Sequence, residues 1–256
     1  GTWSNGADLL VGSVQNRANM DAVEIDNTIY IMGGTTADYD VWGVSNIIYA
    51  YDTVSDSWSQ KTNLASARGN ANCVRFNDIA YYLGGRTAVG TLQTLNDGYV
   101  SSFNTLTTGS TETALPTGSR MGTAGVVYAP SFGPARMIII GGSSNLTGTT
   151  GSYLLDGVSF NATTNANSYY LNFPFETPAA WQAGPIYENN VFFASAVVAD
   201  DVLYCFGGAF IPAAGTLTVY NDTNALDLTS FPAGTWTAKT NMPTGRFGHV
   251  ALKIKQ

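Results

Sequence analysis

Histidine occurs once in this chain, at His249, and cysteine twice, at Cys73 and Cys205. A transition-metal centre needs three or four nitrogen, sulfur or oxygen ligands, and these three residues have no evident fourth member. Both cysteines lie in apolar, strand-like stretches, which reads as two buried small hydrophobes rather than a disulfide. Glutamate occurs four times, at Glu24, Glu112, Glu176 and Glu188. Glycoside hydrolysis needs two opposed carboxylates, and nothing local pairs any of these. The expectation is a protein with no catalytic constellation, no metal and no cofactor.

Binding chemistry has one better candidate. Asp38, Tyr39, Asp40 and Trp42 fall in a loop-like stretch. The alternating acids suit a loose Ca²⁺ contact, but a solvated loop is the simpler reading. Tyr39 and Trp42 would instead stack on a sugar or bury in a partner protein. These four residues are the expected ligand or partner contacts. Three Asn-x-Ser/Thr sequons stand at Asn145, Asn161 and Asn221, a number that chance alone delivers in a chain so rich in Asn, Ser and Thr. They would be accessible in a secreted protein.

The elements that must position these residues show in the composition. The chain has 256 residues, enough for one large domain. Only 11% are charged, well under half of the ~25% usual in soluble proteins. Glycine, at 28 residues, fills part of that gap together with Thr, Ser and Asn. This is the composition of many short strands joined by turns. Eleven Lys and Arg against 18 Asp and Glu give a net charge of −7, so the basic stripe that nucleic-acid binding requires is missing. No apolar run approaches the ~18–20 residues needed to cross a bilayer, and no membrane insertion is expected. The chain begins at Gly1 without Met or a basic-apolar leader, as expected of a processed or cropped form.

Self-similarity is the dominant signal. Trp58-Ser-Gln-Lys-Thr-Asn-Leu-Ala-Ser-Ala-Arg68 nearly repeats as Trp236-Thr-Ala-Lys-Thr-Asn-Met-Pro-Thr-Gly-Arg246. A diglycine closes an apolar run four times, at Gly33-Gly34, Gly84-Gly85, Gly141-Gly142 and Gly207-Gly208. Arg17 and Arg68 each precede their first glycine by sixteen residues, and Arg120 precedes Gly141 by twenty-one. The extra residues fall in the loop-like segment 131–135. In the fourth unit Asn190 stands about where an Arg is expected. An aromatic residue then Asp or Asn follows each diglycine, at Tyr51-Asp52, Phe103-Asn104, Phe160-Asn161 and Tyr220-Asn221. Each unit reads as four strands, in the first Ala22–Ile25, Thr28–Met32, Ile47–Tyr51 and Ser57–Lys61. Two-residue turns such as Asp26-Asn27 make hairpins. Four such strands cannot bury both faces alone, and stacking the sheets around an axis solves the problem as a β-propeller.

In these residues the chain resembles the kelch family, whose pattern is an Arg, a hairpin ending in Gly-Gly, an aromatic-Asp pair and a Trp. The resemblance implies an all-β, kelch-like β-propeller of four-stranded blades over the whole chain. The repeats span about 17–61, 68–115, 120–181 and 190–239. The second has Leu115 about where Trp is expected, and the third carries a long excursion from Asn161 to Pro178. The recurrence of Arg17, Arg68, Arg120 and Arg246 at one repeat position argues for a structural role, bonding strand ends between blades, and the family resemblance makes His249 part of the repeat pattern. Kelch-bearing copper oxidases use several histidines, which this chain lacks. Kelch-like sialic-acid mutarotases would need a polar pocket at one face.

Residues 1–16 and 246–256 are two fragments of a partial fifth blade. Three arrangements fit: a composite blade closing the ring, a fragment of a longer propeller, or completion of a neighbouring molecule by head-to-tail self-association. The composite blade is the first expectation. The functional expectation is a secreted or extracellular, non-enzymatic propeller that binds protein partners in an assembly, filamentous and glycosylated in its fullest form. The alternative is a carbohydrate-binding or sugar-acting propeller.

Overall fold

The computed structural model describes residues 4–9, 17–36, 43–87, 96–100, 105–107, 115, 120–143, 167–173, 180–210 and 216–254, with only the backbone at 36, 96–100, 105–107 and 167. All regular elements among them are β. The first repeat holds β1 (Arg17–Ala18), β2 (Asp21–Ile25), β3 (Thr28–Met32), β4 (Thr35–Thr36), β5 (Gly43–Val44), β6 (Ile48–Asp52) and β7 (Ser57–Gln60). The second holds β8 (Asn72–Phe76), β9 (Ile79–Leu83), β10 (Asn96–Val100) and β11 (Thr105–Thr107). The third holds β12 (Ala124–Tyr128), β13 (Ala135–Ile140), β14 (Asn167–Phe173) and β15 (Gln182–Ile186). In the fourth are β16 (Ser195–Ala199), β17 (Val202–Phe206), β18 (Ala209–Phe210), β19 (Thr218–Val219), β20 (Thr223–Asp227) and β21 (Thr237–Ala238).

Four antiparallel four-stranded sheets result, β2-β3-β6-β7, β8-β9-β10-β11, β12-β13-β14-β15 and β16-β17-β20-β21. Within each, the strands meander in chain order. The inner hairpins turn tightly because Asp26, Asn77, Asp200 and Asp201 accept left-handed backbone, with φ of 48°, 51°, 51° and 59°, a conformation that short polar side chains tolerate best. The sheets stack face to face. Ile25, Met32, Ile48 and Ala50 of the first meet Cys73, Ala80 and Tyr82 of the second. Val74, Tyr81 and Leu83 of the second meet Met137, Ile139 and Tyr169 of the third. Ala124, Val126, Ile138 and Ile140 of the third meet Leu203, Cys205 and Leu226 of the fourth. Alternate residues on each strand serve opposite interfaces, as the period of two requires. This is a β-propeller with four diglycine blades.

Several repeat markers differ from their expected places. In the fourth blade the turn after the third strand is made by Leu226-Asp227, nineteen residues past Gly207, not by Tyr220-Asn221. Asp227 Oδ1 accepts from Thr229 N at 2.8 Å and Thr229 Oγ1 at 2.6 Å. Asp52 does the same in the first blade, accepting from Val54 N at 2.8 Å and Ser55 N at 3.0 Å. The conserved physical element is this carboxylate-capped turn, so Leu can replace the aromatic before it. In the third blade Asn172 is the counterpart of Asp52, since Arg136 pairs with Asn172 as Thr28 pairs with Asp52. Phe103, Asn104, Phe160 and Asn161 lie outside the described residues.

Leu115 is not a substitute for Trp. It is buried beneath Gly84, where a β-carbon would stand 2.9 Å from its Cδ1, and Met242 holds the same place beneath Gly207, also at 2.9 Å. The Trp of the third blade is Trp181. Trp181 directly precedes β15, one step beyond the Tyr170–Gln182 pair, as Trp58 lies opposite Tyr51.

Candidate functional site

Each diglycine is locked to the blade that follows it. The second glycine donates its N–H to the carbonyl at the next blade's arginine position: Gly34 to Arg68 at 2.9 Å, Gly85 to Arg120 at 2.9 Å, Gly142 to Val191 at 2.9 Å and Gly208 to Arg246 at 2.8 Å. Val191, not Asn190, therefore fills the arginine position of the fourth blade. The arginine side chains act within their own blades. Arg17, Arg68 and Arg120 donate Nη1 to the carbonyls of Gly33, Gly84 and Gly141 at 2.9, 3.2 and 3.3 Å. Their guanidinium groups lie over the rings of Tyr49, Tyr82 and Tyr169, 5.0, 5.3 and 5.1 Å from the centroids. Arg68 and Arg120 are fully buried. Burial pushes Arg120 below the ordinary arginine pKa, and Tyr169 partly offsets this.

Two residues beyond each arginine position the backbone is left-handed: Asn19, Asn70, Gly122, Phe193 and Gly248 have φ of 54°, 56°, 63°, 52° and 65°. These residues form a relay of main-chain bonds from blade to blade. Asn70 N donates to Asn19 O at 2.9 Å, Gly122 N to Asn70 O at 3.0 Å, Phe193 N to Gly122 O at 2.7 Å and Gly248 N to Phe193 O at 2.9 Å. The last link is informative. Gly248 follows Arg246 as the other four follow their own arginine positions, so residues 246–254 enter a fifth blade position with the geometry of the first four.

They enter it alone. Arg246 is exposed and its side chain makes no hydrogen bond among the described residues, unlike the three capping arginines. Val250, Leu252 and Ile254 stand four, six and eight residues beyond it and are 78%, 79% and 84% exposed. Their counterparts after Arg120 are Ala124, Val126 and Tyr128, at 3%, 9% and 5%. Lys253 Nζ lies 2.9 Å from Asp200 Oδ1 in the fourth blade, which holds the segment along that blade. His249 is half-buried with both ring nitrogens unpartnered, and burial, then Arg246, holds its pKa below the usual value. Its Cε1 packs near Gly207, 3.1 Å from where a β-carbon would be.

At the other end of the chain, Trp58 Nε1 donates to Ala7 O at 2.9 Å, as Trp236 Nε1 donates to Pro185 O at 3.3 Å. Pro185 belongs to β15, the outermost strand of the blade before Trp236. Residues 4–9 thus take the outermost-strand position in front of the first blade. The tryptophan is an interblade tie.

Asp38, Tyr39, Asp40 and Trp42 lie outside the described residues, as do Asn145 and Asn161. Asn221 is half-buried, and its Nδ2 donates to Met242 O at 3.1 Å. Cys73 and Cys205 are both reduced and buried. They sit in different interblade cores. Among the described residues no group of three or more His, Cys, Asp or Glu is placed to hold a metal ion. The sequence already placed residues 246–256 in a partial blade with Arg246 at its repeat position; the exposure of Val250, Leu252 and Ile254 is what the structure adds.

Residues 16–65 match the kelch motif. Alpha-scruin of Limulus polyphemus is 23% identical over 232 residues, 90% of this chain and 23% of that protein. Beta-scruin of the same organism is 27% identical over 230 residues, 89% of this chain and again 23% of its own length. The chain thus spans under a quarter of the length of these relatives. Among solved structures, one described as the structure of YjhT superposes with a TM-score of 0.69 at 14% identity, covering 91% of this chain and 73% of that one. Residues 16–65 thus carry a kelch motif, and the fold of the chain is that of a kelch-like propeller.

Proposed function

We propose that this chain is a non-enzymatic propeller that serves as a structural or protein-interaction subunit of an extracellular assembly. The observation that carries the reading is the edge Val250–Ile254, an innermost strand position whose apolar face is uncovered among the described residues. Such an edge is a template for pairing with another chain. The likeness to the two scruins and the kelch motif at residues 16–65 support an interaction role. A composition with only 11% charged residues suits a surface that is packed against partners or coated with glycans. N-linked glycans at Asn145 and Asn161 belong to the same reading.

The test is the size of the native particle, by light scattering after gel filtration and electron microscopy of the same fraction. A particle several times heavier than the 27.1 kDa chain, containing a second protein, is the expected result. A lone 27.1 kDa species recovered from the cell interior would contradict it.

A further inference from the structure

We propose that the inner-hairpin loop of the third blade is a docking knob, on which Phe132 enters an apolar pocket of a partner protein whose rim is lined with Lys and Arg. The surface is separate from the Val250–Ile254 edge. The inference rests on the reading above only in taking the chain to bind protein.

The loop is an insertion that the fold does not use. In the other three blades the inner hairpin closes on two residues, after Ile25 pairs with Thr28, Phe76 with Ile79 and Ala199 with Val202. In the third, the last pair is Tyr128 with Arg136, so residues 129–135, Ala-Pro-Ser-Phe-Gly-Pro-Ala, stand where two would serve. Below the loop β12 and β13 stay in register as far as Ala124 and Ile140. Phe132 is 93% exposed, more than any other large hydrophobic side chain among the described residues. Beside it, nothing lies within 4 Å of the missing β-carbon of Gly133. An aromatic ring held in water adds nothing to folding, since its apolar area is never buried. Pro130 and Pro134 fix φ on either side of it, so the ring is presented with little freedom left to lose on binding.

The charge around the loop gives the partner's chemistry. Each blade is an antiparallel meander, so its inner turn and its outer turn emerge at the same end of the propeller. Asp26, Asp78, Asp200 and Asp201 stand on the inner turns at that end. Asp52 and Asp227 cap the outer ones. Tyr128, at the base of the loop, bonds to Asp201. The cations nearby are already engaged: Arg75 Nη1 lies 3.3 Å from Glu24 Oε2, Lys253 Nζ lies 2.9 Å from Asp200 Oδ1, and Arg136 lies over the ring of Phe231. Phe132 therefore projects from an acidic end, and a pocket that receives it meets carboxylates at its rim. Basic side chains there complement the charge and steer the encounter.

The same carboxylates repel an anionic lipid surface, which argues against a membrane as the occupant. A second copy of this chain is also a poor one. Its net charge is −7, and Arg68, Arg86 and Arg120 are buried, which leaves few cations to rim a pocket. The occupant is accordingly a different, basic protein.

Two measurements test this. The first uses β-cyclodextrin, an apolar cup, as a chemical stand-in for the pocket, with its rim neutral, bearing amines or bearing carboxylates. Each host is titrated into the full 256-residue chain and followed by the ring resonances of Phe132, assigned by their loss in Phe132→Ser. The amine-rimmed host should bind about fivefold or more tighter than the neutral one, and the carboxylate-rimmed host more weakly than either. The difference should vanish in about 1 M salt, where the Debye length is ~3 Å. No response at Phe132, or equal affinity for the three hosts, would overturn the proposal. In the second, residues 129–135 are replaced by Asn-Asp, the turn of the second blade, which keeps the hairpin register and should not lower the melting temperature. This variant and Phe132→Ser should each recover about tenfold less of the second protein in the native particle. If both assemble like the wild type, the docking loop is wrong and the interaction reading stands. A chain found alone in the native fraction would remove both.

Discussion

Gly33 and Arg68 belong to successive blades, and the glycine approaches the arginine carbonyl so closely that a β-carbon at Gly33 would collide with that oxygen. Gly84 and Arg120 repeat the contact, Gly141 meets Val191, and Gly207 meets Arg246. The glycines also have φ between 54° and 64°. Two independent reasons therefore exclude a side chain, steric space and backbone conformation. The diglycine joins blades as much as it ends strands.

Gly84→Ala should accordingly destabilise the protein by about 3 kcal/mol or more, summing a left-handed backbone penalty of ~1–2 kcal/mol with the displacement of the Arg120 carbonyl. Gly133→Ala is the control. That glycine has φ of 94° but nothing near its missing β-carbon, so only the backbone penalty should appear. Urea melts of the two variants distinguish these outcomes.

The arginine positions should separate by burial. Arg68→Met removes a fully buried cation that caps Gly84 and lies over Tyr82, and a loss of about 3 kcal/mol is expected. Arg246→Met, at the exposed position, should fall within about 0.5 kcal/mol of wild type. Equal effects at both positions would mean that Arg246 is already capped.

Asp21 bridges the first two blades, its Oδ2 accepting from Cys73 N at 2.7 Å and from Asn72 Nδ2 at 3.3 Å. Burial raises its pKa to about 6 from 3.8, against the lowering effect of the Cys73 and Ala22 amides. A carboxylate with a raised folded pKa binds its proton more tightly in the folded state. Its contribution to stability is fully present below about pH 4 and is lost as pH rises through about 6. Asp21→Asn keeps an acceptor oxygen and removes the proton. Melting temperatures measured from pH 4 to 7 should decline in the wild type and lose that component in the variant.

Cys73 and Cys205 should be silent until the protein unfolds. Burial pushes the Cys205 thiol up to about 12, with Tyr187 and the Phe206 amide acting the other way. Burial, with Asp21 nearby, raises Cys73 well above the ordinary thiol. Since the thiolate is the reactive form, iodoacetamide at pH 8 should add nothing to the native protein and two groups in denaturant. Mass spectrometry reads both.

The repeat was legible in the sequence because its parts are local. β3 follows the expected Thr28–Met32, and β2, β6 and β7 differ from expectation by one residue at their ends. What misled was residue identity where the fold needs only a shape. Leu226 serves where Tyr51 does because Asp227, like Asp52, makes the turn. Val191 serves where Arg68 does because its carbonyl, not its side chain, receives the preceding diglycine. The open edge was legible only as a count. Val250, Leu252 and Ile254 alternate like any strand, and whether such a strand is covered depends on residues elsewhere in the fold. Tyr39 and Trp42 carry the sequence argument for binding and lie outside the described residues.

Amide hydrogen exchange of the isolated chain tests the open blade most directly. The amides of Val250–Ile254 should exchange at nearly unprotected rates while those of Ala124–Tyr128, the same strand position in the third blade, stay protected. Protection of 250–254 equal to that of 124–128 in the isolated chain would show that the blade is already complete, and would contradict the account.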